Sequence, residues 1–355
     1  MGFLSDKAEK LTPYIPGEQP KDGAYIKLNT NENPYPPSPK AIEAIKNAAG
    51  ERLKLYPDPE SVELREIYAK YIGLHNISTE NVFVGNGSDE VLSIAFQAFF
   101  MGRENVFMPE ITYSFYPVYC TLYDIKAKEI PLADDFQIKV SDYKQKNDGV
   151  IIANPNAPTS RCLELSAIEE IAEANRESVI LIDEAYIDFG GESAVSLVQK
   201  YNNLLVVSTL SKSRSLAGLR VGFAVGSKEL IDGMNRVKNS INSYPVDLLA
   251  QQGAAEAIKD TEYFEECRDK IIKTRDWTST ELIRLGFDVL PSKANFLFIE
   301  NEKKSAEEIF QRLKEKKILV RYFNKPKIDN RLRVSIGTPE EMRTFIDIMG
   351  KIVAD

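Results

Sequence analysis

The chain has 355 residues, with 45 Lys and Arg against 53 Asp and Glu, a formal net charge of -8, and 43% hydrophobic residues. That length predicts a large domain with a smaller one, and the acidic balance argues against a nucleic-acid binder, although a local arginine cluster could still hold an anion. A single histidine excludes Ser-His-Asp hydrolysis, Cys-His catalysis and multi-histidine metal sites.

The start, Met1 to Lys10, lacks the apolar stretch of a signal peptide, and no run approaches the ~20 apolar residues that span a bilayer. Cys120, Cys162 and Cys267 lie far apart, without metal-ligand spacing, and read as reduced thiols of a cytoplasmic protein with no metal. The first forty residues are rich in proline and end in Asn31-Glu32-Asn33-Pro34-Tyr35-Pro36-Pro37-Ser38-Pro39, which predicts an extended arm. Helical patterns follow at 39–49 and 61–72, and His75 falls in a polar turn at the surface. Val82-Phe83-Val84 then leads through Gly85-Asn86-Gly87-Ser88 into a helix over 89–100. Val150 to Ala153 leads through a Pro/Asn turn into a helix over 166–175. Val179 to Ile182 ends at Asp183, and Leu204 to Val207 ends at Thr209. Short β-rich runs alternating with helices predict an α/β fold with a largely parallel sheet. The last hundred residues read as a small α+β domain: a long helix through Trp277, a strand at 296–299, a helix, and a strand at 332–335. The expected division is an arm with part of the small domain at 1–40, a large domain at 41–245 and a small domain at 246–355.

Ligands in open α/β sheets bind beyond the carboxyl ends of the strands. Those ends here carry Gly85 to Asp89, Asn154-Pro155-Asn156-Ala157-Pro158-Thr159, Asp183-Glu184-Ala185-Tyr186 and Thr209-Leu210-Ser211-Lys212. Taken singly, each admits a structural role: a capped glycine turn, a rigid proline turn, a salt-bridged lysine. One cofactor, pyridoxal 5'-phosphate, accounts for all of them. It needs an amine for a Schiff base (Lys212), a carboxylate beside its pyridine nitrogen (Asp183) and a donor to its ring oxygen (Tyr186). Its phosphate needs donors, which Ser88 with its neighbours and Arg220 can supply.

At these residues the chain resembles the fold-type I pyridoxal-phosphate enzymes of the aspartate aminotransferase superfamily. The similarity covers nearly the whole chain and is carried by Thr209-Leu210-Ser211-Lys212 with Ala217-Gly218-Leu219-Arg220. The arm and Val320-Arg321-Tyr322-Phe323 point to its histidinol-phosphate aminotransferase branch. The resemblance implies a large domain with a mostly parallel mixed sheet flanked by helices, and a small α+β domain. It makes Lys212, Asp183 and Tyr186 catalytic, with Tyr113 stacked on the ring. Thr209, Ser211, Arg220 and the Gly87-Ser88-Asp89 backbone would hold the phosphate, and Tyr56 would reach the neighbouring subunit's cofactor in a homodimer. Arg333 would bind the α-carboxylate, and Arg321 with Tyr14 the phosphate of the substrate. Relatives have asparagine where this chain has Ala157, so Asn156 is expected to take over the ring-oxygen amide. Ser160 stands where glycine is usual, and Ser213-Arg214-Ser215 is more polar than the common segment.

The implied reaction is a ping-pong transamination of histidinol phosphate with 2-oxoglutarate, a step of histidine biosynthesis. Rivals on the same scaffold are an aromatic amino acid aminotransferase, a phosphothreonine decarboxylase and a non-catalytic binding module.

Overall fold

The computed structural model describes residues 2–20 and 25–354. Its centre is a seven-stranded sheet of β1 (Val82–Asn86), β2 (Val106–Pro109), β3 (Ala127–Ile130), β4 (Gly149–Ala153), β5 (Ile180–Asp183), β6 (Leu204–Thr209) and β7 (Val221–Val225), in the order β1-β7-β6-β5-β4-β2-β3. Only β7 runs antiparallel to its neighbours. Every residue of β4 and β5 is buried, as is all of β6 except Ser208. Branched apolar side chains on both faces suit a parallel sheet covered on both sides.

The period-two alternation divides those side chains between two cores. Val150, Ile152, Ile182 and Val206 face the helices Pro39–Ala48, Val62–Ile72, Leu165–Ala174 and Leu248–Lys259. Ile151, Leu181, Leu205 and Ala224 face Gly87–Ala95, Tyr116–Leu122 and Lys228–Ile241. The helix after β1 begins at Gly87, two residues earlier than expected, and Phe96–Phe100 continues it as a π-helix. The helix Leu248–Lys259 buries Ala250, Ala254 and Ile258 in the first of these cores. Small side chains seat that helix against Pro39–Ala48, with Gly253 lying against Ile45.

The small domain holds a four-stranded antiparallel sheet in the order Arg321–Tyr322, Arg331–Ser335, Phe296–Asn301, Phe287–Val289. Helices Thr261–Arg284, Ala306–Glu315 and Pro339–Ala354 back it around Leu297, Ile299, Leu332, Val334 and Phe345. The arm is not wholly extended, since Asp6–Lys10 forms one helical turn capped by Ser5. Ile26–Lys27 pairs in parallel with Ile318–Leu319 and ties the arm to the small domain. His75 lies in an exposed turn, and among the described residues no helix is long and apolar enough to cross a membrane.

Candidate active site

The carboxyl ends of β1, β4, β5 and β6 lie on one side of the sheet, and the arm and the small-domain strand Arg331–Ser335 close over them. Between them is a cavity of about 310 Å³. Eleven of the expected site residues line it: Tyr14, Ser88, Asp89, Tyr113, Asp183, Tyr186, Ser211, Lys212, Arg220, Arg321 and Arg333.

At the end of β1 the backbone turns through Gly87 (φ 77°) into a helix whose N-cap residue, Asn86, makes no side-chain capping bond, while Glu90 Oε2 accepts from the Asn86 N–H at 2.6 Å. A β-carbon at Gly87 would lie 2.5 Å from Arg220 Nη2, and one at Gly222 would lie 2.5 Å from the Ser88 nitrogen. Two glycines thus let β7 and the helix start approach while Arg220 folds across them. Arg220 Nη2 donates to Asp89 Oδ2 at 3.0 Å, and Tyr113 Oη donates to Asp89 Oδ1 at 3.0 Å, so one carboxylate aligns both. The result is a helix start with a guanidinium beside it, an arrangement suited to a phosphate.

At the end of β5, Asp183 is 5% exposed. Its Oδ2 accepts from Tyr116 Oη at 2.7 Å and its Oδ1 from the Ala185 N–H at 3.2 Å. Burial pushes the carboxyl up to about 6 even though both hydrogen bonds favour the anion. The adjacent Glu184 is also buried and points away, its Oε1 accepting from the Ala194 N–H and its Oε2 from Ser193 Oγ, both at 2.6 Å. Burial pushes it up to about 8. At the end of β6, Lys212 Nζ donates to the Thr30 carbonyl at 3.2 Å and has no carboxylate partner among the described residues. Thr209 stays beneath the floor, its hydroxyl 3.0 Å from Ser211 Oγ.

The opposite wall is cationic. Arg333 Nη2 donates to the Asn29 carbonyl at 2.8 Å, while its buried Nε has no partner. Burial pulls this guanidinium below the usual arginine range. Arg321 Nη2 donates to the Ile15 carbonyl at 3.3 Å, and neither arginine is ion-paired among the described residues. Tyr14 stacks on Phe115 with ring centres 5.0 Å apart.

Four of the fifteen expected residues do not line the cavity: Thr209, Asn156, Tyr56 and Gly87, which packs against Arg220. Asn156 Nδ2 is spent on the Ile111 carbonyl and Thr159 Oγ1, both at 2.9 Å, so it does not take over the amide missing at Ala157. Tyr56 is 82% exposed and stacks on Tyr244 at 4.7 Å, away from this chain's cavity. Ser160 occupies a left-handed conformation (φ 63°), where a glycine would be unstrained. Arg214 is buried, donating to the Ala257 carbonyl at 2.8 Å and lying 3.7 Å from the Phe264 ring centre, so its polarity is absorbed by packing. Sequence reasoning missed Tyr116 and gave no role to Asn29, Thr30 and Asn31, which bond Arg333, Lys212 and Tyr186 in turn. The asparagine-rich run before the prolines was the available signal.

Residues 24–349 match the family described as aminotransferase class I and II. The chain is 58% identical over 352 residues to a histidinol-phosphate aminotransferase of Clostridium acetobutylicum, covering 99% of each. It is 56% identical over 351 residues to one of Clostridium botulinum, covering 99% of this chain and 98% of that one. A crystal structure of histidinol-phosphate aminotransferase from Sinorhizobium meliloti in complex with pyridoxal-5'-phosphate superposes with a TM-score of 0.88 at 21% identity, covering 100% of this chain and 98% of that chain. The chain belongs to the aminotransferase class I and II family.

Proposed function

We propose that this aminotransferase converts histidinol phosphate and 2-oxoglutarate to imidazole-acetol phosphate and glutamate, with pyridoxal 5'-phosphate held on Lys212. The donor set fits that cofactor: a helix start with Ser88, Ser211 and Arg220 for its phosphate, and Asp183 for its pyridine nitrogen. Tyr186 serves its ring oxygen, and Tyr113 packs against its ring. The close approach at Gly87 and Gly222, which lets β7 and the Arg220 guanidinium lie against the helix start, supports the phosphate end of this reading. When bound, the cofactor supplies an electron sink for charge developing at the substrate α-carbon. Lys212 Nζ is the group that would carry the proton at that carbon. Asp183, anchored by Tyr116 and the Ala185 N–H, keeps a proton on the pyridine nitrogen.

The observation that carries the choice of substrate is the pair Arg333 and Arg321, two guanidiniums in one cavity without a carboxylate partner among the described residues. Arg333 binds the carboxylate of glutamate, and Arg321 with Tyr14 binds the phosphate of histidinol phosphate, so each half-reaction has its own anchor. A cytoplasmic homodimer in which Tyr56 reaches the partner's cofactor completes the reading. Initial rates with histidinol phosphate and with phenylalanine, each with 2-oxoglutarate, test it. Histidinol phosphate is the preferred substrate, and Arg321→Ala raises its KM at least about tenfold while glutamate turnover changes little. A preference for phenylalanine, or carbon dioxide release from phosphothreonine, would overturn the proposal.

A further inference from the structure

Asn31 is 1% exposed and sits at φ 55°, a left-handed conformation that asparagine tolerates. Its backbone N–H donates to Ser335 Oγ at 2.8 Å, and a backbone N–H can act in no other sense. Ser335 Oγ therefore accepts there and gives its own proton to Asn31 Oδ1, also at 2.8 Å. That assigns the amide: Oδ1 faces Ser335, and Nδ2 donates to Tyr186 Oη at 3.0 Å. Asn295 Nδ2 donates to the Asn31 carbonyl at 3.0 Å and holds the residue from the other side. Tyr186 Oη, already accepting from Asn31, keeps its single proton for a partner in the cavity that Tyr186 lines.

The turn after β4 offers no competing donor. Position 157 is alanine, packed with Ala294, Phe296 and Tyr186, and the Asn156 amide nitrogen is fully engaged elsewhere. We propose that Asn31 is a positioning residue that fixes the direction of the Tyr186 hydroxyl proton, making Tyr186 the side-chain donor to the anionic ring oxygen of the cofactor in place of the amide that Ala157 lacks. This rests on the cofactor reading above. A donor aimed at that oxygen favours its ionised form, so the pH at which the bound cofactor's visible absorbance changes depends on a residue that never touches the cofactor.

The test titrates the visible absorbance of protein loaded with pyridoxal phosphate. Asn31→Ala shifts the midpoint upward by roughly three- to tenfold in proton affinity, the effect of one hydrogen bond. Asn31→Asp, a residue type also at home in the left-handed region, turns the Tyr186 proton away from the cavity and shifts the midpoint at least as far as Tyr186→Phe. Adding Asn31→Ala to Tyr186→Phe gives no further shift, and Ala157→Asn lowers the midpoint. A midpoint unmoved in both Asn31 variants, or additive shifts in the double variant, overturns the role of Asn31 while leaving the cofactor reading intact. A wild-type chain that develops no visible band overturns both.

Discussion

Glu184 and Asp183 are neighbours on the same strand end, yet they face opposite ways and meet different needs. Asp183 looks into the cavity, whereas Glu184 holds the chain at Ser193 and Ala194 as a buried acid. Its folded value of about 8 lies above the ordinary 4.5, so the folded chain binds a proton that the unfolded chain releases. The stability from that proton is complete below about pH 4.5 and is lost as pH rises toward 8. Asp183 acts in the same direction, but its window closes near pH 6. Chemical denaturation of the cofactor-free chain between about pH 6.5 and 8.5 therefore isolates Glu184 and should show a loss of about 2 kcal/mol. Glu184→Gln, which mimics the protonated acid, flattens that slope; an equally steep fall in the variant would contradict the assignment. The sequence singles out Asp183 as the carboxylate for the cavity, but the burial of Glu184 and its bonds to Ser193 and Ala194 are not legible there, because they depend on a turn nine to ten residues downstream.

At the scale of elements, β1, β4, β5 and β6 could be read from their apolar runs because each is buried on both faces. β3 could not: Ala127-Lys128-Glu129-Ile130 is an edge strand with only Ile130 buried. β7, Val221-Gly222-Phe223-Ala224-Val225, hides behind two small residues that the packing itself requires, since Gly222 lies against the start of the helix after β1. That close approach gives the glycine pair a measurable role. Gly87→Ala adds a β-carbon at φ 77°, at a cost of about 1–2 kcal/mol, and pushes the Arg220 guanidinium off the helix start. Equilibrium titration with pyridoxal phosphate should show affinity reduced about tenfold or more, with circular dichroism unchanged. Unaltered affinity would remove the helix start from the phosphate site.

At the scale of the whole molecule, the α/β class and the order of the site segments were legible because each strand end carries its own motif. The return of the arm was not. Asn31 and Ser335 are 304 positions apart, and no local pattern announces their meeting. The surface carries a second long-range feature. Leu53, Leu55, Tyr56, Ile241 and Tyr244 are exposed, and Tyr56 stacks on Tyr244, an exposed aromatic pair of the kind that suits an interaction surface. Sedimentation equilibrium should give twice the 40.0 kDa chain mass. Leu55→Glu should lower it to a single chain and weaken cofactor retention. A wild-type chain that sediments as a monomer would remove Tyr56 from any shared site.

The bonds from Asn29, Thr30 and Asn31 to Arg333, Lys212 and Tyr186 also impose an order on biosynthesis. The arm leaves the ribosome first, the β5 and β6 ends follow, and the strand bearing Arg333 and Ser335 comes after the entire seven-stranded sheet. Until that strand arrives, the Asn31 N–H lacks its Ser335 acceptor, and the arm is held near the lysine only by its bonds to Lys212, Ser213 and Tyr186 and by the pairing of Ile26–Lys27 with Ile318–Leu319. A nascent chain can therefore build its scaffold during translation, while a closed cavity is a late event of maturation, available only to a chain translated past residue 335.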